Sequence, residues 1–186
     1  PARIDREDLI RTARHMVEEH GADNLSLSNL AVAFGVKTPS LYNHIANKAS
    51  LLQAINTLTM REMMAFVMLK LDTVPETQPH EALIAAANAY REYAYAHPRA
   101  YLLLYASDDP EVLPDSTLAR ELALPIEERF VVLTGPEESL AALRGLWALM
   151  HGFVTLELAG QFRRTDEGAV EDAWQRALDV YLDGWQ

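Results

Sequence analysis

At 186 residues, 49% of them hydrophobic, the chain has enough apolar material for a sizeable core, either as one large domain or as a small head on a larger body. The absence of cysteine excludes disulfides and thiolate metal sites, and no apolar run reads as long enough to span a bilayer. A soluble globular protein of a reducing, cytoplasmic compartment is expected, with no signal peptide evident. The net charge of −11 counts against nucleic acid as a partner until it is located: residues 1–52 hold six Lys/Arg and six Asp/Glu, so the entire acidic excess lies on the remainder.

Taken in order, Asp5 is placed to N-cap a first helix, with Asp8 three residues on as a short capping-box partner. Leu9, Ile10, Ala13, Met16 and Val17 form its apolar stripe, and Gly21 ends it. The stretch 26–48, SLSNLAVAFGVKTPSLYNHIANK, then reads as a helix over 28–34, a tight turn at Gly35-Val36-Lys37 and a second short helix over 39–45. Gly35 stands where the chain reverses and a positive φ is needed. Thr38 reads as an N-cap and Pro39 as the first helical residue, where its missing N–H costs nothing. Leu30, Ala31 and Phe34 face Leu41 and Ile45 across a shared apolar seam. Together with Leu25, Leu27 and the first stripe, that seam predicts a three-helix core containing a helix-turn-helix.

The second short helix leaves Thr38, Pro39, Ser40, Tyr42, Asn43 and His44 facing out. Small hydroxyls, an amide and an aromatic ring suit the major groove of DNA. Asn pairs bidentately with adenine, and Thr, Pro and Tyr meet thymine methyls or phosphates. Lys48, capped by Asn47 at the start of the next helix, brings an ammonium and backbone N–H groups to a phosphate, and Lys37 in the turn is counted with this set. The plainer alternative, that residues 1–52 merely open a helical bundle, leaves the Thr38-Pro39 start and the polar outward face unexplained.

Leu30-Ala31, Phe34-Gly35-Val36, Pro39-Ser40-Leu41-Tyr42-Asn43-His44, Asn47-Lys48 and Leu51-Leu52 together strongly resemble the DNA-binding head of the TetR family of bacterial one-component transcriptional regulators, over residues 5–54. Trp147-x-x-x-His151-Gly152 is similar to the WHG-type C-terminal domain found in part of that family. The resemblance implies an all-α fold: an N-terminal three-helix helix-turn-helix head over 1–47, joined by a long helix to a helical ligand-binding and dimerisation body over 48–186. It places Ser28, Thr38, Pro39, Ser40, Tyr42, Asn43, His44 and Lys48 at DNA-contacting positions. Ser28 departs from the long basic or polar side chain often found there in the family, which argues against a base contact from that helix.

From residue 47 the pattern stays helical to 71, a length of about 36 Å. Its upper part, with Met60, Met63, Met64, Phe66, Val67 and Met68, suits an adaptable ligand cavity as well as it suits ordinary core packing. A loop over 72–79 precedes a helix over 80–97 and a short one over 99–105. Tyr90, Tyr93, Tyr101 and Tyr105 read either as groups that orient a small molecule or as boundary residues of the core.

A helix over 116–133 is expected to kink or break at Pro125. Pro136 is then expected to open a long helix to 162, ending near Arg163-Arg164. It carries small residues at Ala141, Gly145, Ala148, Gly152, Thr155 and Ala159, and bulky ones at Leu143, Trp147, Met150, Val154 and Leu158. Such a helix should be buried on most of its circumference. His151 reads as a satisfied core histidine or as a polar point in a ligand pocket, with Arg144 or Glu157 as partner. The last helix turns Val170, Ala173, Trp174, Ala177, Leu178 and Tyr181 inward, and the helices over 137–162 and 167–184 suit a four-helix interface built from two copies.

No Gly-rich phosphate loop or His-Glu-x-x-His is found and the six histidines are scattered, so no enzyme activity, metal site or cofactor is expected. The expectation is a homodimeric, ligand-responsive repressor that binds a pseudo-palindromic operator and has no membrane partner. A small, largely apolar effector would release it, held by Met60, Met63, Met64, Tyr90, Tyr101, Tyr105, Trp147, Met150 and His151. The rival is an all-α ligand carrier or small enzyme with a vestigial head, for which the short Ser28 and the neutral head speak.

Overall fold

The computed structural model describes residues 4–162 and 167–185, and among these every regular element is helical. The α-helices are α1 (Arg6–His20), α2 (Leu27–Ala33), α3 (Lys48–Leu71), α4 (Pro79–Ala96), α5 (Pro98–Leu104), α6 (Ser116–Thr134), α7 (Ser139–Leu158) and α8 (Glu167–Asp183), with short 3-10 helices at Ala22–Asn24 and Thr38–Asn43. They form two compact units, one of Pro1–Glu62 with His97–Ala119 and the other of Met63–Ala96 with Arg120–Gln186.

The first unit is built on the apolar stripe of α1. Leu9, Ile10, Ala13 and Val17 are buried against Leu25, Leu30, Ala31, Leu41 and Ile45, with Leu51 and Ile55 of α3 closing the cluster. Met16, Leu27 and Phe34, read from the sequence as core, pack against it half-buried. Asp5 caps α1 by accepting from the Glu7 amide at 3.3 Å. At the far end α1 and α5 exchange charges. The Glu18 carboxylate accepts from the amides of Arg99 (3.3 Å) and Ala100 (3.0 Å) at the start of α5, while the Arg99 guanidinium donates to the carbonyls of Glu18 (3.0 Å) and Glu19 at the end of α1. Each helix end thus receives the sign its dipole favours.

The second unit is tied by one residue from each of three helices. Arg91 of α4 holds Glu157 of α7 through two bonds (Nε to Oε2 2.9 Å, Nη2 to Oε1 2.7 Å) and Glu171 of α8 through a third (Nη1 to Oε2 2.6 Å). Trp174 of α8 is fully buried beside this group, its indole N–H donating to Asn88 Oδ1 at 2.7 Å and its ring 5.2 Å from that of Phe153. Burial alone would lower the Arg91 pKa; the hydrogen bonds to Glu157 and Glu171 outweigh it and hold the guanidinium above its ordinary value.

Several expectations are corrected here. Pro125 does not break helix α6, which continues to Thr134 with Ile126 and Phe130, both buried, anchoring the turns that follow the lost donor. Helix α7 starts at Ser139 and not at Pro136; residues 136–138 form a turn whose Pro136 carbonyl accepts from Ser139 Oγ at 3.3 Å, and the helix ends at Leu158. Its buried line is Ser139, Ala142, Leu146, Met150 and Val154, which shares Met150 and Val154 with the bulky stripe read from the sequence and leaves its other members partly or fully exposed. Trp147 is 49% exposed, and Leu140 and Leu156 are exposed with it.

Gly145 faces α8: the Tyr181 hydroxyl, which donates to the Ala142 carbonyl at 2.7 Å, lies 2.1 Å from where a Cβ at 145 would be. With 20 residues and a mean hydropathy of 1.2, α7 is long and apolar enough by composition to cross a membrane, contrary to the sequence expectation, a test that core helices also pass. On α8 the buried residues include Trp174, Leu178 and Leu182, whereas Ala173 is exposed. Arg163 and Arg164 lie outside the described residues.

Candidate nucleic-acid interface

Helix α2 begins one residue earlier than read, because Ser26 is its N-cap: Ser26 Oγ accepts from the Asn29 amide at 3.1 Å. Its end is a paired reversal, with the Val36 amide donating to Ala31 O (3.0 Å) and the Gly35 amide to Val32 O (3.0 Å). This closure puts Gly35 at φ +63°, a conformation in which a side chain is strained. The turn after α2 is therefore fixed by one glycine.

The segment that follows is a 3-10 helix, Thr38–Asn43, and not the α-helix over 39–45 that the sequence pattern implied. Extended Lys37 precedes it, Pro39 lies in its first turn, and Thr38 makes no side-chain cap. The difference in geometry matters. At three residues per turn the side chains stack in columns. The column of Thr38 and Leu41 turns toward the core, with Leu41 at 0% exposure, and Ile45, just beyond the end of the helix, is buried at 2%. The other two columns, Pro39 with Tyr42 and Ser40 with Asn43, are left to solvent: Pro39, Tyr42 and Asn43 are exposed and Ser40 is half-buried. Thr38 and His44 flank them half-buried, and Lys37 and Ser28 are exposed.

The start of α3 completes this surface. Asn47 Oδ1 accepts from the Ser50 amide at 2.8 Å and Ser50 Oγ from the Asn47 amide at 3.1 Å, a reciprocal cap that sets exposed Lys48 at the first helical position, as read. Arg6 of α1 donates to the His44 carbonyl at 3.4 Å, tying the end of the 3-10 helix to the first turn of α1. The structure thus brings Lys37, Thr38, Pro39, Ser40, Tyr42, Asn43, His44 and Lys48 onto one short, mostly exposed stretch of the first unit, apolar on one side and polar with one aromatic ring on the other.

The residues read as effector-binding are not gathered in this way. Met60, Tyr101 and Tyr105 belong to the first unit, whereas Met63, Met64, Tyr90, Trp147, Met150 and His151 belong to the second. Met63, Tyr90, Tyr101 and Met150 are buried, and Tyr101 packs edge-on against Tyr105 with ring centres 5.3 Å apart. His151 is half-buried, and desolvation lowers its pKa. Glu157, one of the partners considered for it, is taken by Arg91. Among the described residues no group of three or more His, Asp or Glu is placed to hold a metal ion. A cleft of about 940 Å³ in the first unit is lined by none of the residues read as effector-binding.

A helix-turn-helix with a solvent-facing polar segment on a buried three-helix core is the architecture of a DNA-binding protein. Comparison with known proteins agrees along most of the chain. Residues 9–55 match the model for bacterial regulatory proteins of the tetR family, and residues 83–181 match the Tetracyclin repressor-like C-terminal domain. The HTH-type transcriptional regulator Rv0681 of Mycobacterium tuberculosis, itself uncharacterised, is 30% identical over 175 residues, spanning 91% of this chain and 78% of its own. Among solved structures, BioQ bound to its natural double-stranded DNA operator superposes with a TM-score of 0.70 at 20% identity, covering 98% of both chains. A TetR variant from Acinetobacter baumannii AYE in complex with minocycline also gives 0.70, at 23% identity and 98% and 96% coverage. The chain belongs to the TetR family and is a DNA-binding transcriptional regulator.

Proposed function

We propose that the protein is a homodimeric, cytoplasmic repressor that grips a pseudo-palindromic operator and lets go when a small, largely apolar effector binds its body. The observation that carries the DNA half of this reading is the 3-10 helix Thr38–Asn43, whose core-facing column is pinned by Leu41 while Pro39, Ser40, Tyr42 and Asn43 are presented outward. In this reading Asn43 and Tyr42 meet base edges or thymine methyls. Thr38, Ser40 and His44 meet the edge or backbone of the same groove, and Lys37 and Lys48 each take a phosphate. Ser28 is too short to reach further than the backbone. The functional division falls at residue 47, with a DNA-binding head over 1–47 and a ligand-binding and dimerisation body over 48–186.

Two heads are needed because each makes few base contacts, worth about 1–3 kcal/mol apiece. Half-sites about 34–36 Å apart, or a multiple, follow from placing two such segments on one face of a duplex. The dimer is assigned to the helices over 137–162 and 167–184. In its support, Ala141, Ala148 and Trp147 of α7 are exposed, and a shallow, almost wholly apolar depression lies between α7 and α8 at Leu149, Ala173, Ala177 and Val180. An apolar helix with its open side against a second copy needs no bilayer. The effector is assigned to the second unit around Met63, Met64, Tyr90, Met150 and His151. The binding of an operator by BioQ and of minocycline by the Acinetobacter TetR variant supports both halves by analogy.

The test is selection of operator from random duplex DNA with the full chain, followed by light scattering of the free protein. A palindromic consensus and a dimeric mass that becomes monomeric in Ala148→Glu are expected. An asymmetric or absent consensus, or a monomeric wild type, overturns the reading.

A further inference from the structure

A cleft of the first unit opens between the N-terminal turn of α1, the N-terminal half of α3 and the segment leading into α6, with a volume of about 940 Å³. Apolar Ile10, Leu58 and Leu113 line it together with polar Gln53 and Thr57. Five charged residues rim it: Asp5, Arg6, Glu7, Arg61 and Asp115. The three carboxylates are already engaged. Asp5 caps α1 at the Glu7 amide, Asp115 caps α6 at the Thr117 amide (2.9 Å), and Glu7 is paired with Arg11. Each capping carboxylate faces about half a positive charge at its helix end.

The two guanidiniums are differently placed. Arg61 is exposed and makes no ion pair among the described residues, and Arg6 makes a single long bond of 3.4 Å to the His44 carbonyl. Among the charged groups that line the cleft, the two guanidiniums are thus the ones with no helix-end role and no ion pair among the described residues, beside three carboxylates that keep their charge.

We propose that this cleft is a second ligand site, in the first unit and apart from the effector site assigned to the second unit, and that it takes a small organic anion with an apolar tail. Arg61 and Arg6 pair with the anionic head, and the tail lies along Ile10, Leu58 and Leu113. A carboxylate or phosphate head suits two guanidiniums, whose planar forks match its oxygens. An occupant that draws Arg6 to itself competes with the His44 carbonyl, to which the Arg6 side chain donates at 3.4 Å. Since His44 closes the 3-10 helix, occupancy bears directly on the segment assigned to the DNA groove. Binding in the cleft is independent of the proposed function; only its consequence for DNA rests on that reading.

The test uses the isotope-labelled full chain without DNA, titrated with octanoate and, separately, with octylammonium and octanol as probes that share the tail and lack the anion. Saturable octanoate shifts at the amides of Gln53, Thr57 and Ile45 are expected, with octylammonium and octanol far weaker. Arg61→Glu should weaken octanoate by about tenfold or more, the order expected when a charge-assisted hydrogen bond is lost. Octanoate shifts that fall elsewhere or are absent at millimolar concentration, octylammonium binding as well as octanoate, or an Arg61→Glu variant that binds octanoate like wild type would each overturn the site. Octanoate shifts in the cleft that never reach His44 or Ile45 would overturn its link to the 3-10 helix. None of these readouts depends on an operator, so failure here is distinct from failure of the DNA-binding reading.

Discussion

Asn47 and Ser50 cap each other. Asn47 Oδ1 accepts from the Ser50 amide at 2.8 Å, and Ser50 Oγ accepts from the Asn47 amide at 3.1 Å while donating to the Asn47 carbonyl at 2.9 Å. The pair satisfies donors that would otherwise be orphaned at the start of α3 and fixes the turn that carries Lys48. Asn47→Ala should cost about 1 kcal/mol in urea denaturation. Under the proposed function it should also weaken operator binding, because the Lys48 ammonium and the adjacent amides lose their fixed position. Unchanged stability would show that the cap contributes nothing.

The Arg91 node makes a sharper energetic prediction. The Glu157 side chain is 2% exposed and that of Glu171 is 52% exposed, so the two arms of the node are not equivalent. Arg91→Ala strands a buried carboxylate and should cost about 3–5 kcal/mol, whereas Glu171→Ala removes a solvated arm and should cost at most about 1 kcal/mol. Replacing Arg91 and Glu157 together by Met and Leu should recover most of the loss, since neither group then needs a partner. Chemical denaturation of the three variants checks this, and equal losses for Arg91→Ala and Glu171→Ala would contradict it.

Acid should act partly through two histidines. Burial lowers His151 below its ordinary 6.5, and burial together with nearby Arg14 lowers His97 in the same direction. The unfolded chain therefore takes up these protons first as the pH falls. The stability the neutral imidazoles contribute is fully present above about 6.5 and is lost as the pH drops through the depressed folded values. Melting temperature measured from about pH 7 down to about pH 5.5 should fall, and His151→Gln should flatten part of that fall. A variant with the same slope as wild type would show that His151 does not titrate on unfolding.

How much of this was legible in the sequence depends on how far each cause reaches along the chain. The Gly35 reversal and the Asn47 cap on Lys48 were readable because their causes lie within three or four residues of each other. The seam of Leu30, Ala31, Leu41 and Ile45 was readable from its spacing. The 3-10 geometry of Thr38–Asn43 was not, because a six-residue helix is decided by how Leu41 and Ile45 seat in the core and not by the Thr38-Pro39 start. The continuation of α6 past Pro125 was hidden for a similar reason, since burial of Ile126 and Phe130 keeps the helix from ending at a local breaker.

On α7 nearly every position is apolar, so periodicity placed Met150 and Val154 on one stripe but could not choose Ala142 and Leu146 over Leu143 and Trp147 as their buried neighbours. Arg91 carried no sequence signal at all: its partners lie 66 and 80 residues away. The cleft at Arg6 and Arg61 is likewise assembled from distant segments. Among the residues named from the sequence, the exposure of 37–48 was legible because it is one continuous stretch, whereas the division of Met60, Tyr101 and Tyr105 from Met63, Tyr90 and Met150 between two units was not, because it is a property of several helices at once.

The most direct measurement is an anisotropy titration of the full chain against its selected operator across a range of salt concentrations, for wild type, Tyr42→Ala and Lys48→Ala. Tyr42 is 55% exposed and Lys48 is exposed, so neither replacement disturbs the core. The account predicts that Tyr42→Ala weakens binding by about tenfold or more, the effect of losing one groove contact, and that Lys48→Ala lowers the slope of log K against log salt by about one for each phosphate contact removed. Two variants that bind with wild-type affinity and wild-type salt slope would contradict the claim that the outward side of this short helix and the start of α3 are what meet the DNA.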